Sequence, residues 1–456
     1  MLATANGRTA PGPRFRTPLG FMATARKDLL GFLLVNAQQY GDVVRYQFGP
    51  GRFCAHHLVH PDHIKYVLQE HNQNYWKGVP VSMVKVLIGQ GLFTSEGDFW
   101  RRQRRLAQPA FHRERIAGFV RIMTDGTAKL IERWQPQQQS GDPIDVADEM
   151  MRVTLGIVGQ ALFSQDLAGD ATDVGRAMYV ALEHVTHRAT HFVPLPLAIP
   201  TARNLRFLKA RRVLDALVYR VISERRRAGM RAAAVDLLDM FLQARDADTG
   251  EGMSDQQLRD EVMTFVLAGH ETTAVTLAWA WYLLSQHSTV EDRLRAEVRD
   301  VLGTRTPTMD DVPRLPYARA VIEETMRLYP AVSMISRQSY GEDEIGGYHI
   351  PANTVIMMSP YVTHRNPTWW ERPDEFDPER FMPGRENGRP RFAYFPFSGG
   401  PRLCIGNEFA LTEAQLILAM VLQRYRLQLV PGHPVEPEVR LTLRPRYGIK
   451  MTVQAS

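Results

Sequence analysis

Residues 397–406 read Phe397-Ser398-Gly399-Gly400-Pro401-Arg402-Leu403-Cys404-Ile405-Gly406 and directly precede an apolar segment of helical spacing, 407–423. Glycine reaches positive-φ conformations that other residues avoid, so the segment predicts a loop that curls beneath the Cys404 sulfur. The thiolate is the form of cysteine that ligates metal, and the N-terminal dipole of the following helix favours that anion. We interpret Cys404 as a metal ligand; the alternative is a buried free cysteine that only packs.

A long helix is predicted from Ser254 to about His287, because this segment contains no proline and opens with a capping box formed by Ser254 and Gln257. At 1.5 Å per residue the helix is about 50 Å long. Its middle reads Ala268-Gly269-His270-Glu271-Thr272-Thr273. A glycine there costs about 1 kcal/mol relative to alanine, so the segment favours a functional interpretation.

The small residues Ala268 and Gly269 leave room for a flat ligand and a diatomic molecule. Thr272 can hydrogen-bond the diatomic molecule, and Glu271 can relay protons from water. The alternative is a threonine-rich helix that packs its small residues against a neighbouring helix.

A third segment, 315–329, begins with Pro316 and ends before Pro330, which is the punctuation of a helix. It contains Glu323, Glu324 and Arg327. Both glutamates lie at spacings that allow an ion pair with the arginine, so the residues alone do not select the partner.

Together these segments resemble the cytochrome P-450 superfamily. The cysteine loop has the form Phe-x-x-Gly-x-Arg-x-Cys-x-Gly, the long helix has Ala-Gly-x-Glu-Thr, and the third helix has Glu-x-x-Arg, followed by Pro-Glu-Arg-Phe at 378–381. The resemblance implies a mainly α fold, a triangular helical prism with a minor β-rich region and a long central distal helix over the haem. It implies haem b as the cofactor, with Cys404 as the axial ligand of the iron.

The resemblance also assigns roles to individual residues. Thr272 and Glu271 are the expected catalytic pair. The expected structural network is Glu324, Arg327 and Arg380. The expected haem contacts beside Cys404 are Trp100, Arg104, Ala268, Gly269, Arg337, His364, Phe397, Arg402 and Gly406. The expected substrate pocket is formed by Phe93, Phe265, Ala268, Val332, Met334 and Ile335, with a substrate-facing loop at 79–93 and a mobile lid at 192–200.

The bulk composition agrees with one catalytic domain over residues 1–456, whose first 20 residues form an extended arm, without a fused reductase. The two cysteines, Cys54 and Cys404, argue against a disulfide scaffold and suit a reducing compartment. The sequence contains no apolar run of the roughly 18 residues that span a bilayer, so we expect no membrane span and a cytoplasmic protein. The net charge is +6, but the arginine runs lack the interleaved aromatics of a nucleic-acid site, and we expect no nucleic-acid partner.

The function implied by the resemblance is oxygen-dependent monooxygenation of a C–H or C=C bond in a hydrophobic small molecule such as a fatty acid, terpenoid, steroid or polyketide. Electrons are expected from a separate ferredoxin or flavodoxin with its reductase, and the protein is expected to be a monomer. The expected basic dock for that donor is Arg101, Arg102, Arg105 and Arg113. Two alternatives stay open: a peroxide-using or rearranging enzyme of the same fold, and a non-catalytic haem-thiolate gas-binding protein.

Overall fold

The computed structural model describes residues 7–15, 28–48, 54–164, 174–190, 195–229, 236–385 and 388–456. The α-helices in these ranges are α1 Leu29–Tyr40, α2 Pro61–Lys65, α3 Gly78–Ser82, α4 Lys85–Ile88, α5 Gly97–Ala107, α6 Arg113–Arg133, α7 Gln135–Ser140, α8 Val146–Phe163, α9 Val174–Thr190, α10 Ala202–Arg227, α11 Leu237–Gln243, α12 Asp255–Gln286, α13 Ser288–Leu302, α14 Pro316–Leu328, α15 Pro360–Thr363 and α16 Asn407–Leu422. A π-helical turn spans Tyr66–Glu70, and 3₁₀ segments span Asn72–Asn74, Gln108–Phe111, Met309–Arg314, Pro378–Phe381, Arg391–Ala393 and Gly400–Arg402.

The β-strands are short and lie mostly between helical segments. They are β1 Arg14–Phe15, β2 Val43–Phe48, β3 Cys54–Leu58, β4 Tyr75–Trp76, β5 Ile144–Asp145, β6 Ile335–Ser339, β7 Asp343–Ile345, β8 Tyr348–Ile350, β9 Val355–Met358, β10 Tyr425–Leu429, β11 Pro437–Val439, β12 Leu443–Pro445 and β13 Lys450–Ala455. The predicted pair of strands at 43–48 and 53–60 is present as β2 and β3, which are antiparallel.

The chain divides into two compact units. The first comprises Met1–Ser82, Met326–Asp377 and Pro383–Cys404, and the second comprises Met83–Thr325, Pro378–Met382 and Ile405–Ser456. The cysteine loop up to Cys404 therefore belongs to the first unit, whereas α12 belongs to the second.

The first unit is built on a six-stranded sheet of order β1-β2-β3-β9-β6-β4. The β3–β9 pair is parallel and the β9–β6 pair is antiparallel, which places Arg337 opposite Ile356. Buried aliphatic side chains from these strands and from α2, among them Leu58, Ile64 and Ile356, form its core. The described part of the expected N-terminal arm is not free, because β1 pairs in parallel with β2 and Arg8 bridges to Tyr348; residues 1–6 and 16–20 lie outside the described ranges.

The second unit is organised around α12, which has the predicted position and the predicted capping box of Ser254 and Gln257. Helix α8 packs against α12, where Thr154 Oγ1 donates a hydrogen bond of 3.0 Å to the carbonyl oxygen of His270. The hairpin β11–β12 also contacts α12, since Trp279 Nε1 donates to the carbonyl oxygen of Leu443 at 2.8 Å. Within the described ranges no helix is both long and apolar enough to cross a membrane.

Candidate functional site

The cysteine loop is a tight double turn in the first unit. Ser398 and Gly400 both adopt the left-handed backbone conformation, with φ of 65° and 64°. The Cys404 amide closes the loop by donating to the Phe397 carbonyl oxygen at 3.0 Å, and the Leu403 amide donates to that of Gly400 at 3.0 Å. A Cβ added at Gly400 would lie 1.9 Å from the Leu68 carbonyl oxygen, so only glycine fits there. The loop thus carries an exposed thiol at Cys404, and the motif glycine Gly406 follows as the N-terminal cap of α16.

His364 supports this loop from below and does not line an open site. Its imidazole is completely buried, and its Nε2 accepts a hydrogen bond of 3.0 Å from the Phe395 amide. Burial, followed by the nearby charge of Arg327, holds the pKa of His364 well below its usual value, so the ring is neutral. A buried, neutral imidazole with an aromatic surround is unsuited to a carboxylate ligand, so we no longer assign His364 to a haem propionate.

The other cationic candidates of the first unit have a different setting. Arg337 lies in β6 and is 6% exposed, and its Nη1 donates to the Ser336 carbonyl oxygen at 2.8 Å. Arg402 and Phe397 are half-buried members of the cysteine loop itself. Arginine is suited to an acidic group of a cofactor because its guanidinium stays charged and donates two parallel hydrogen bonds, so both residues stay candidates for a haem propionate.

Arg327 fastens the segment that leads to the cysteine loop. Its guanidinium is fully buried and donates to the carbonyl oxygens of His364 at 2.9 Å, Pro373 at 2.6 Å and Glu375 at 2.9 Å. The same group lies 5.1 Å from the centre of the Trp370 ring. Backbone carbonyls of an irregular segment are therefore satisfied by one arginine side chain, which fixes that segment without regular secondary structure.

In the second unit, Glu324 is fully buried and lies 3.5 Å from Arg380 Nε. Glu323, the other spacing-compatible glutamate, accepts a hydrogen bond from Arg319 Nε at 3.1 Å. Glu323 thus has a partner in Arg319 and Glu324 has one in Arg380. The network of Glu324, Arg327 and Arg380 stays a prediction.

Helix α12 is mostly buried, but some residues in its middle are accessible to solvent. Ala268 is exposed and Gly269 and Thr272 are half-buried, whereas the helix is otherwise buried from Leu258 to Phe265 and from Thr273 to Trp281. Thr272 Oγ1 donates to the Ala268 carbonyl oxygen at 2.7 Å. Ala268 and Thr272 therefore form an accessible stripe of small and hydroxyl side chains one helical turn apart.

Gly269 lies against a neighbouring helix. A Cβ added there would lie 3.1 Å from Val158 Cγ2 on α8, so the missing side chain faces the neighbouring helix. The expectation that Ala268 and Gly269 leave room for a flat ligand stays a prediction; in the structure Ala268 is exposed and Gly269 also lies close to α8.

Glu271 forms a buried ion pair with Arg444, a residue outside the sequence motifs. Its Oε1 accepts from Arg444 Nε at 2.8 Å, from Arg444 Nη2 at 2.6 Å and from Thr442 Oγ1 at 2.6 Å. The carboxylate is 2% exposed, and its Oε2 is buried without a hydrogen-bond partner among the described residues. One oxygen of Glu271 is therefore fixed by the β11–β12 hairpin, and the other remains available.

Helix α5 places Trp100 and Arg104, both half-buried, one turn apart as predicted. The neighbouring arginines are less available than their number in the sequence indicates. Arg102 lies 3.4 Å from Glu251, and Arg105 lies 2.8 Å from both Asp246 and Asp248. Arg101 pairs with Asp98 within the helix, whereas Arg113 is exposed on α6.

Comparison with known proteins settles the family. The Cytochrome P450 family model matches residues 11–453. The cyclooctatin synthase of Streptomyces melanosporofaciens is 38% identical over 421 residues, which cover 92% of this chain and 90% of that protein. The cyclooctat-9-en-7-ol 5-monooxygenase of the same organism is 37% identical over 427 residues, covering 93% and 90%.

The chain belongs to the cytochrome P450 family. The crystal structure of the cytochrome P450DA heme domain superposes with a TM-score of 0.88 at 27% identity, covering 99% of this chain and 98% of that one. The predicted fold class, the haem cofactor and the monooxygenase class are thereby confirmed. The residues fit the haem on structural grounds too, since the cysteine loop presents an exposed thiol, the ligand type that the family uses for haem iron.

Several predicted substrate-pocket residues of this P450 pack against hydrophobic clusters of the first unit. Ile335 is 8% exposed and belongs to the core of the first unit, and Val332 packs against the same cluster. Met334 packs against a second cluster around Leu33 and Tyr46. These side chains are anchored by packing against the two clusters, and their assignment to the substrate pocket stays a prediction.

Of the predicted substrate-pocket residues in the second unit, one is nearly buried and two are exposed. Phe265 is 9% exposed and its ring centre lies 5.2 Å from that of Phe111 and 5.3 Å from that of Phe241. Phe93 is 42% exposed and Ala268 is exposed, so both are accessible. Of the predicted lid at 192–200, residues 192–194 lie outside the described ranges, while Pro196 and Ile199 are tied to α10 because both carbonyl oxygens accept from Asn204 Nδ2.

Two buried acids were missed from the sequence: one stands in an apolar helical run, and the other follows the charged residues Arg259 and Asp260. Glu413 of α16 is fully buried, and burial raises its pKa well above the usual value. Glu261 of α12 is also fully buried, and burial raises its pKa to about 8. The signal in the sequence that could have identified them is a charged residue at a position of the helix that faces the core.

Proposed function

We propose that this P450 inserts one oxygen atom from O2 into a terpenoid, with Cys404 as the haem ligand and with Glu271 and Thr272 as the proton-delivery pair. The observation that carries the proposal is the centre of α12, where an accessible hydroxyl adjoins a carboxylate with one fixed and one available oxygen. The terpenoid class is supported by the two Streptomyces relatives, whose names refer to cyclooctatin and to cyclooctat-9-en-7-ol.

The reaction consumes a substrate C–H bond, O2, two electrons and two protons, and it yields an alcohol and water. Haem with a thiolate ligand supplies the activation of O2. The protein supplies the protons and the geometry. Trp100, Arg104, Arg337 and Arg402 are proposed to bind the haem propionates, and Ala268 is proposed to leave space beside the haem face.

Proton movement is proposed to run over Glu271 Oε2 and the Thr272 hydroxyl. Arg444 and Thr442 together donate three hydrogen bonds to Oε1, so the carboxylate keeps one orientation while Oε2 takes a proton from water and passes it on. The Thr272 hydroxyl is bonded to the Ala268 carbonyl oxygen, and rotation about its side chain redirects the proton toward the bound diatomic molecule. Positioned proton transfer of this kind contributes about 10²- to 10⁴-fold to a rate.

Electrons are proposed to come from a separate acidic ferredoxin or flavodoxin with its reductase. The net charge of +6 supports an acidic partner, but three of the four arginines predicted to form the dock are paired with carboxylates. The charge available for docking is then smaller than the sequence suggests. We expect the electron-transfer rate to fall only modestly with salt, and a rate independent of ionic strength would contradict electrostatic docking.

The first experiment compares the spectrum of the reduced, carbon monoxide-bound protein with that of Cys404→Ser. A red-shifted Soret band in the wild type that is lost in the variant supports thiolate ligation, and a band of histidine type that survives the substitution refutes it. Turnover with labelled O2 on a terpene panel then tests the substrate class. In Thr272→Ala we expect O2 consumption to continue while product falls, and unchanged product formation from O2 would contradict the proton-delivery assignment.

A further inference from the structure

Glu261 is a buried acid that the proton-delivery proposal does not use. Its Oε2 accepts a hydrogen bond of 3.0 Å from the Leu92 amide. Its Oε1 has no hydrogen-bond partner among the described residues, although the residue has no exposed surface. A buried polar atom without a partner costs about 1 to 3 kcal/mol, so this oxygen calls for a ligand.

The position of Glu261 on α12 is on the same helical stripe as the catalytic candidates. At about 100° per residue, Glu261 lies within about 20° of Thr272 around the helix axis and between Ala268 and Phe265. Along the axis it stands about 16 Å from Thr272 and about 10 Å from Ala268. Thr272 thus lies at one end of this stripe, and the carboxyl group of Glu261 lies at the other end.

The segment that faces Glu261 is fixed to α12 by several contacts. The Gln90 amide donates to Asp260 Oδ2 at 2.8 Å, and Arg259 Nη2 donates to the Leu87 carbonyl oxygen at 2.8 Å. A Cβ at Gly91 would lie 2.1 Å from Thr264 Oγ1, so the backbone approaches the helix closely. The surroundings of Glu261 are therefore preorganised, and the accessible Phe93 belongs to the same segment.

The protonation state of Glu261 decides whether its carboxyl group can donate a hydrogen bond. Burial is the largest cause of its raised pKa, the Leu92 amide opposes the shift, and the neighbouring Asp260 adds to it. Asp260 is itself paired with Arg259 at 2.9 Å. With a pKa of about 8 the acid is mostly protonated at neutral pH, and a protonated carboxylic acid has an O–H donor.

We propose that Glu261 is a specificity-determining residue that donates a hydrogen bond from Oε1 to an oxygen atom already present in the substrate. This inference rests on the proposed terpenoid function and narrows it to a terpenoid that carries a hydroxyl or carbonyl group. The oxidised carbon then lies roughly 10 to 16 Å from that oxygen, which is the spacing along α12 between Glu261 and the Ala268–Thr272 stripe. An earlier step that introduces the first oxygen must precede this enzyme.

The test measures the binding of a diterpene hydrocarbon, kaurene, and of its alcohol, kaurenol, by equilibrium dialysis with tritiated ligands on the haem-loaded protein. We expect the wild type to bind the alcohol about tenfold more tightly than the hydrocarbon, the gain of a hydrogen bond to a buried donor. Glu261→Gln keeps an N–H donor and should retain most of that preference. Glu261→Met removes the donor, and the ratio of the two affinities should fall to about one.

Asp260→Asn is the matched control, because it weakens the anchoring of the same segment and leaves the Glu261 donor in place. A purely structural role for Glu261 predicts that both Glu261 variants weaken the two ligands equally, and that result would overturn the proposal. Equal binding of kaurene and kaurenol by the wild type would also overturn it, while leaving the monooxygenase assignment intact. Failure to bind either ligand, with a normal carbon monoxide spectrum, would overturn this inference, whereas turnover on the terpene panel tests the terpenoid assignment by itself.

Discussion

Replacing Arg444 by methionine removes the cation that holds Glu271. The variant loses two hydrogen bonds, of 2.8 Å and 2.6 Å, and leaves Thr442 Oγ1 as the remaining donor to Glu271 Oε1. Hydrogen bonds to a charged group contribute about 1.5 to 3 kcal/mol each. Breaking a buried ion pair by removing one partner costs about 3 to 5 kcal/mol, which agrees with the sum of the two bonds. We therefore expect the free energy of unfolding to fall by about 4 kcal/mol.

The same substitution should also separate oxygen consumption from product formation. Without Arg444 the Glu271 carboxylate loses its fixed orientation, so proton delivery slows while haem reduction continues. We expect the product formed per O2 consumed to fall about tenfold, within the range assigned to positioned proton transfer. Urea unfolding followed by the carbon monoxide spectrum measures stability, and an oxygen electrode with a peroxide assay measures coupling.

Two controls isolate the Glu271 contact. Arg444→Lys keeps the charge but not the paired donors, so its loss should be intermediate. Arg440→Met removes a partly exposed arginine from the same C-terminal region, where it pairs with Glu438 at 2.7 Å, and should change stability by less than about 1 kcal/mol. Wild-type stability and wild-type coupling in Arg444→Met would refute the view that this ion pair orients the proton donor.

Three further substitutions test other parts of the structure. Gly400→Ala should lower the haem content and should lower the free energy of unfolding by well over the roughly 1 to 2 kcal/mol of left-handed strain, because its Cβ meets the Leu68 carbonyl oxygen. Gly384→Ala is the control for strain alone, since Gly384 has φ of 82° and open space around its Cβ position. Equal effects of the two substitutions would contradict the clash. His364→Leu should destabilise the cysteine loop by about 1 to 3 kcal/mol, because it leaves the Phe395 amide without an acceptor. It should also reduce, by the share of one histidine, the loss of stability that the wild type shows as pH falls below about 6.5, since other histidines with lowered pKa remain. An unchanged pH profile of urea unfolding would count against a buried neutral imidazole. Glu261 binds a proton up to about pH 8 in the folded state but only up to about pH 4.5 in the unfolded state. The free energy of unfolding should therefore decline between those pH values by at most about 1.4 kcal/mol per pH unit. In Glu261→Gln the free energy of unfolding should depend less on pH, and parallel pH profiles of variant and wild type would refute the raised pKa.

The elements that the sequence predicted best are those specified by local signals. The capping box at Ser254, the absence of proline and the apolar spacing determine α12 within the chain itself. The turn residues of the cysteine loop likewise act locally, and the structure has left-handed conformations at Ser398 and Gly400. These features need no knowledge of distant residues.

The parts that the sequence did not predict depend on partners far along the chain. Arg444 lies 173 positions from Glu271, and nothing in the segment around β12 marks it as a partner. Gly269 is explained only by Val158 on α8, and the pairing of Arg105 only by Asp246 and Asp248. Surface arginines and helix glycines have several possible roles, and the three-dimensional neighbour decides among them.

Thr272 has a single hydroxyl proton and two uses for it. In the structure that proton satisfies the Ala268 carbonyl oxygen within the same helix, 2.7 Å away. Turning it toward a ligand leaves the carbonyl with its backbone bond alone, which a helix tolerates because a carbonyl oxygen has two lone pairs. Side-chain rotation takes picoseconds to nanoseconds, far faster than turnover. With the proposed role of Thr272 in proton delivery, the side chain would be a reversible two-position donor whose working position requires no movement of the backbone.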